Sequence, residues 1–131
     1  MALADRLASR ARALEEGASR SLRLVALEAD RSIVLATPVD TGRARANWIV
    51  GVNKRVEKST EDADKSGRLT IAAGEAEIGK AEADDTIHIT NNLPYIVPLN
   101  NGSSIQASAG FVQRGIGRAA AIARNIRIVE G

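Results

Sequence analysis

The feature that most constrains this chain is the apolar stripe that opens it. Leu3, Leu7, Ala11, Leu14, Ala18, Leu22, Val25, Ala29, Ile33 and Ala36 recur at steps of four, four and three. An eleven-residue repeat averages about 3.67 residues per turn, so the stripe runs nearly parallel to a helix axis or drifts toward a right-handed supercoil. The spacing predicts one helix over residues 1–36, roughly 50 Å long at 1.5 Å per residue. Such a rod exceeds the diameter of a small domain, so part of its stripe is expected to pack on a neighbouring subunit or to project along an assembly. A core-facing helix is the simpler alternative. Gly17 weakens the middle by roughly 1 kcal/mol relative to Ala and offers a point of division into two segments.

Pro38 disfavours α geometry at Thr37, which predicts the helix end there. Asp40 or Thr41 can cap the turn that follows, and Gly42 permits a tight or positive-φ conformation. From Ala46 the side chains alternate, with Trp48, Val50 and Val52 on one side and Asn47, Ile49 and Gly51 on the other. A first strand is expected to run to Asn53, with Arg43 and Arg45 just before it. Residues 54–66 hold too little apolar content to bury and read as a mobile loop. The stretch from Arg68 to Ala83 reads as mixed short structure, because Gly74 and Gly79 interrupt its helix formers. Thr86–Thr90 alternates as a strand that ends at Asn91-Asn92, and Tyr95-Ile96-Val97 is a candidate continuation after Pro94.

Asn100 to Ser104 is a loop by composition, and a helix is expected from 109 to about 125. Phe111, Ile116, Ala119, Ala123 and Ile126 would form its apolar face, with Gly115 and Gly117 weakening it. Ile126–Val129 reads as a short terminal strand or tail. These elements imply an α+β fold: a long N-terminal helix, a small mostly antiparallel sheet and a C-terminal helix, in one domain spanning 1–131. With only Trp48, Tyr95 and Phe111 as aromatics, the core must rest on Leu, Ile, Val and Ala, and subunit association would supply the missing burial.

Charge is segregated along the chain. Residues 1–58, 59–86 and 87–131 carry +4, −5 and +3 within a net charge of +2. Such blocks steer partners or orient neighbouring subunits, although a solvated face explains them equally well. The absence of cysteine removes disulfides, thiolate metal sites and a thiol nucleophile. No apolar run reaches the roughly 20 residues a bilayer span needs, and the N-terminus lacks a signal-peptide pattern, so a soluble, intracellular protein without membrane partners is expected.

Asp40-Thr41-Gly42 matches the triplet of aspartic proteases, in which two carboxylates share a proton to activate water. That enzyme needs an apolar strand before the triplet, whereas here a helix ending at Pro38 precedes it. His88 lies in a strand with no nucleophile motif beside it, and a non-catalytic role fits it better than a metal site or triad. The glycines form neither a phosphate loop nor a dinucleotide fingerprint, and Asn101-Gly102-Ser103 reads as a turn rather than a glycosylation site. Arginines interspersed with acids and only three dispersed aromatics argue against sequence-specific nucleic-acid binding. No catalytic, cofactor or metal site is therefore expected.

Two ordered segments resemble the tail-completion and neck proteins of tailed bacteriophages, the group that includes minor tail protein Z. The first is Thr37-Pro38-Val39-Asp40-Thr41-Gly42-Arg43 with Trp48 shortly after. The second is Ile87 to Ile96, with Asn91, Asn92, Pro94 and Tyr95, leading to Leu99, Gly102, Ser103, Ser104, Gln106, Ala107 and Gly110-Phe111-Val112. Ser108 departs from the proline frequent there, and Asn100-Asn101 stands where an acid is frequent. The resemblance implies an α+β subunit of a ring at the head-to-tail junction, of six copies in the family, without catalysis or cofactor. Its expected partners are copies of itself, a connector or head-completion protein, and a tail-tube or tail-terminator protein. DNA would pass non-specifically through the ring. It would sit in the virion, and in the host cytoplasm during assembly. Pro38, Asp40, Thr41, Gly42, Arg43, Trp48, Asn91, Asn92, Pro94, Tyr95, Gly102, Ser103, Gln106 and Phe111 are then turn or interface residues. The acids Glu61, Asp62, Asp64, Glu75, Glu77, Glu82, Asp84 and Asp85 are candidates to line the channel and repel phosphate. The alternatives are a retroviral-type aspartic protease using Asp40 and a prophage interaction protein paired through its long helix.

Overall fold

The structure, a computed structural model, describes residues 2–102 and 110–125. Its elements are α1 (Leu3–Ala36), α2 (Arg43–Ala46), β1 (Ile49–Val52), α3 (Arg68–Ile78), β2 (Ile87–Thr90), α4 (Ile96–Asn100) and α5 (Phe111–Asn125). The architecture is α+β, with the long N-terminal helix, a two-stranded antiparallel sheet and the C-terminal helix. In the sheet, Val50 opposes Ile89 and Gly51 opposes His88. Two strands alone are marginal in water, so the sheet depends on the helices packed against it.

α1 continues through Gly17 without dividing, and Gly17 is the first buried residue along it. Residues 2–16 are all exposed, with Leu3 at 64% and Leu7 at 59%, so about 21 Å of helix overhangs the body. Within the body, the stripe expected to face the core is only half buried at Leu22, Val25, Ala29 and Ala36. Ile33 is the exception, and the other buried positions lie off the stripe, Ser19, Ala26, Asp30 and Val34 to one side and Gly17 and Ser32 to the other. The reason is that α1 serves two partners, touching α5 around Ile33 and α3 around Asp30 and Val34.

The glycines at those crossings are contact points. A Cβ on Gly115 would lie 2.7 Å from Ile33 Cγ1, and one on Gly74 would collide with Asp30 Oδ2. Gly115 was expected to weaken α5 and instead lets it approach α1. The inward face of α5 is Phe111, Gly115 and Ala119, whereas Ile116 and Ala123 are exposed; Ile126 lies outside the described residues. Gly74 likewise sits inside an uninterrupted α3, where mixed short structure was expected. Two apolar clusters result, Ile33, Val34, Trp48, Ile96 and Phe111 in one and Ala26, Val50 and Ile78 in the other. Ile89 packs against both.

Two further expectations are corrected. The first strand is shorter than 46–53, because Arg43–Ala46 forms a helical turn whose bonds run back to Gly42. Tyr95–Val97 does not extend β2: Pro94 turns the chain into α4, with Leu99 N–H bonded to Tyr95 O at 3.0 Å. The expected tail at Ile126–Val129 falls outside the described residues.

Candidate functional site

The two sequence segments that stand out meet at the C-terminal end of α1. The last carbonyls of a helix lack intrahelical partners, and here two side chains take them up. Thr37, fully buried, donates its hydroxyl to Ile33 O at 2.7 Å and accepts the Trp48 indole N–H at 2.9 Å. Arg45 donates to Leu35 O at 2.8 Å and Thr37 O at 3.0 Å, and also to Lys65 O at 2.7 Å. A cation at this end of a helix also faces the negative pole of its dipole. Burial lowers the Arg45 pKa from its usual value, and the Asp64 carboxylate opposes that shift.

The turn itself fits what its residues allow. Gly42 has φ +94°, and its missing side chain lets residues 64 and 65 pass, since a Cβ there would lie 2.7 Å from Lys65 N. Asp64 N–H then reaches Gly42 O at 3.0 Å. Of the two candidate caps, Thr41 serves: its Oγ1 accepts the Arg43 N–H at 3.2 Å, while Asp40 stands exposed. Arg43 reaches outward to Thr60 O at 3.1 Å and to the Glu61 carboxylate at 2.9 Å.

Asn47, expected on the strand face opposite Trp48, lies before β1 and is fully buried. Its Nδ2 donates to Arg43 O and Thr60 O, and its Oδ1 accepts Thr60 N–H, so one side chain pairs with a backbone as a neighbouring strand would. The second segment holds the same strap. Asn92 Nδ2 donates to Val56 O at 2.8 Å and Lys58 O at 3.1 Å, and Thr90 Oγ1 donates to Val56 O at 3.1 Å. Residues 54–66, expected as a mobile loop, have no regular secondary structure, and these bonds tie Val56, Lys58 and Thr60 to the body. Asn91 joins the segments directly, through Nδ2 to Ala44 O at 3.0 Å, and accepts Leu93 N–H at 3.1 Å.

Pro38 to Arg43 on one side and Tyr95 and Leu99 on the other wall an open groove of about 450 Å³. Pro94 and Tyr95 are exposed, and Gly102, with φ +99°, closes α4 through a bond to Leu99 O at 3.2 Å. Phe111 is fully buried and serves the core. Asn100 caps α5, its Oδ1 accepting Val112 N–H at 3.0 Å, which an aspartate in the same place would also do. Ser103, Gln106 and Ser108 lie outside the described residues.

The eight acids between Glu61 and Asp85 divide by environment. Asp64 is buried and occupied within the subunit: Oδ2 accepts from Thr70 N–H and hydroxyl at 2.8 Å, and Oδ1 accepts from Gly67 N–H at 3.1 Å. Burial pushes its pKa up, but the bonds from Thr70, Gly67 and Ser66 outweigh it and leave it below the usual value. Asp64 is thus a cap for α3, and its carboxylate does not project to a channel. Asp85 is held low by Asn53 and the Glu82 amide. Glu77 pairs with Lys80 at 2.9 Å, and Glu82 accepts the Ser19 hydroxyl at 3.3 Å. Glu61, Asp62, Glu75, Glu82 and Asp84 are exposed, and Glu77 and Asp85 are half buried.

A buried carboxyl escaped the sequence reading. Asp30 is 0% exposed, and neither oxygen has a hydrogen-bond partner. Burial first, and then the nearby Glu75, raise its pKa from 3.8 to about 7. The available signal was its place four residues after Ala26 and three before Ile33, on the face that meets α3. His88 is half buried in β2, and no three His, Cys, Asp or Glu side chains cluster as metal ligands among the described residues. No described helix is long and apolar enough to cross a membrane. No protein-family model, curated protein or solved structure matches the chain.

Proposed function

We propose that this chain is a non-enzymatic structural subunit of the head-to-tail junction of a tailed bacteriophage. Its copies form a ring, of six as in the family it resembles, that joins connector to tail and lets DNA pass. The observation that carries the reading is the convergence of the two resembling segments on one built unit. Thr37 to Trp48 and Asn91 to Tyr95 are far apart in sequence, yet the Asn91–Ala44 hydrogen bond joins them and they wall one groove. Their chemistry there is architectural: side-chain amides, a hydroxyl and a guanidinium satisfy backbone groups and fix the angle between α1 and the sheet. An overhanging apolar helix suits a subunit completed by its neighbours.

Within that ring, surface acids such as Asp62 and Asp84 face the channel and repel DNA phosphate, which prevents adhesion during passage. Asp64 is excluded from this role by its burial. A ring structure with the segment from Glu61 to Asp85 wholly on the outer wall would eliminate the channel role. The assignment itself is tested by electron microscopy of intact particles carrying labelled subunits. Label at the junction of head and tail is expected; label elsewhere, or particles without it, refutes the assignment.

A further inference from the structure

Asn101-Gly102 is the only asparagine–glycine pair in the sequence. A glycine in second place leaves its main-chain nitrogen uncrowded beside the asparagine carboxamide, the condition under which asparagine cyclises and loses ammonia. The pair lies at the open end of α4, where both residues are exposed. Asn101 is the C-cap, with φ −82° and ψ 4°, and Gly102 follows at φ +99°. The last amides of this five-residue helix reach back to Leu99 O at 3.2 Å from Gly102 and to Val97 O at 3.0 Å from Asn101. A single exposed turn of this kind opens at little cost.

Five other asparagines differ twice over. Asn47, Asn53, Asn91, Asn92 and Asn100 each donate the side-chain amide to a partner. They are followed by Trp48, Lys54, Asn92, Leu93 and Asn101, each with a side chain that hinders the attack.

We infer that Asn101 is a site of spontaneous deamidation, gated by release of the last turn of α4. The Gly102 nitrogen attacks Asn101 Cγ: the N–Cγ bond forms, the Cγ–Nδ2 bond breaks, and ammonia leaves with the proton that Gly102 gives up. Water then opens the five-membered imide at either carbonyl, leaving aspartate or isoaspartate at 101. One water is consumed and one ammonia released, with no change of oxidation state. With ψ near zero the Gly102 nitrogen lies on the side of Asn101 N, away from the side chain. The peptide must therefore turn first, and its bond to Leu99 O must break. The fold slows a reaction that the sequence invites.

The isoaspartyl product runs the main chain through Cγ and lengthens it by one carbon beside Asn100. That residue holds the start of α5: its carbonyl accepts Gly110 N–H at 2.7 Å, Oδ1 accepts Val112 N–H at 3.0 Å, and Nδ2 donates to Gln113 Oε1 at 3.0 Å. Deamidation thus loosens the α5 cap, and it does so whether or not the chain forms a ring.

Peptide mapping by mass spectrometry after a week at 37 °C reads the mass gain at each asparagine. Asn101 is expected to convert before any other, at a rate that rises at least tenfold from pH 7 to pH 9, because the attacking nitrogen must shed its proton. Conversion should be at least threefold faster in guanidinium chloride, where α4 is unfolded. Asn101→Gln, whose longer side chain cyclises poorly, should show no gain at that position. In the isoaspartyl form, hydrogen exchange over residues 110–114 should rise at least threefold, whereas Asn101→Asp, which carries the charge without the extra carbon, should leave it unchanged. The inference is overturned if Asn101 stays intact in the folded protein at pH 9 while the unfolded chain converts, if another asparagine converts first, if folded and unfolded rates are equal, or if exchange over 110–114 is the same with and without the isoaspartyl link.

Discussion

Replacing Asp30 by asparagine removes a charge from a site that offers it nothing. Both carboxylate oxygens are buried without partners, and the folded state holds the pKa at about 7 against 3.8. A raised carboxyl pKa means that the folded protein binds the proton more tightly than the unfolded chain. Stability is therefore greatest below about pH 4 and falls as pH rises to about 7. Across that window the loss is roughly 4 kcal/mol when converted at 2.303RT per decade, and roughly 3 kcal/mol of it lies above pH 5. The depressed carboxyls, Asp64 and Asp85, act in the opposite sense, since their contribution is complete above 3.8 and fades only on acidification below it. Between pH 5 and pH 8, Asp30 thus dominates among these three carboxyls.

Asparagine keeps the shape and cannot ionise. It still leaves polar atoms unpaired, at a cost of about 1–3 kcal/mol that the protonated acid shares. Urea denaturation of both proteins at pH 5 and pH 8 should then show a stability difference that moves toward the variant by roughly 3 kcal/mol, a relative midpoint shift of about 1–3 M. A difference independent of pH over that range would refute the argument, because it would mean that Asp30 ionises as readily in the folded protein as in the unfolded chain.

Thr37→Val keeps the shape but strands the buried Trp48 N–H, and should cost about 1–3 kcal/mol in denaturation followed by the single tryptophan's fluorescence. Asn47→Ala removes three hydrogen bonds, two of them holding Thr60, and should cost roughly 2–4 kcal/mol; hydrogen exchange should rise over residues 56–62 ahead of the rest of the protein. Gly115→Ala places a methyl 2.7 Å from Ile33 Cγ1 and should destabilise by about 1–3 kcal/mol, despite the better helix propensity of alanine. If it stabilises instead, α5 does not pack on α1 as described.

The reach of the sequence followed the range of the forces involved. The end of α1 at Pro38, the permissive Gly42 and the strand at Ile87–Thr90 are set by local sterics and alternation, and all were legible. Asn47 was not, because its value lies in facing the Thr60 backbone thirteen residues away. Gly74 and Gly115 were read as breakers on local propensity, although their role is to admit Asp30 and Ile33 from another helix. The stripe of α1 was correct in period and misplaced in orientation, since a helix packed on two sides buries the positions between its partners. Asp64 followed by Ser66 and Gly67 did carry a capping signal, masked by the charge of the surrounding segment. The convergence of the Thr37 and Asn91 segments required the fold.

Mechanically, α1 is a cantilever. Its free end, residues 2–16, is a stiff rod, and its root lies where the helix enters the body at Gly17 and Ser19, with the Ser19 hydroxyl donating to Glu82 at 3.3 Å. A tilt of only about 5° at that root carries Leu3, roughly 21 Å away along the helix, through about 2 Å. Small rearrangements around Ser19 are therefore geared up at the tip, and force applied at the tip returns to a few contacts at the root.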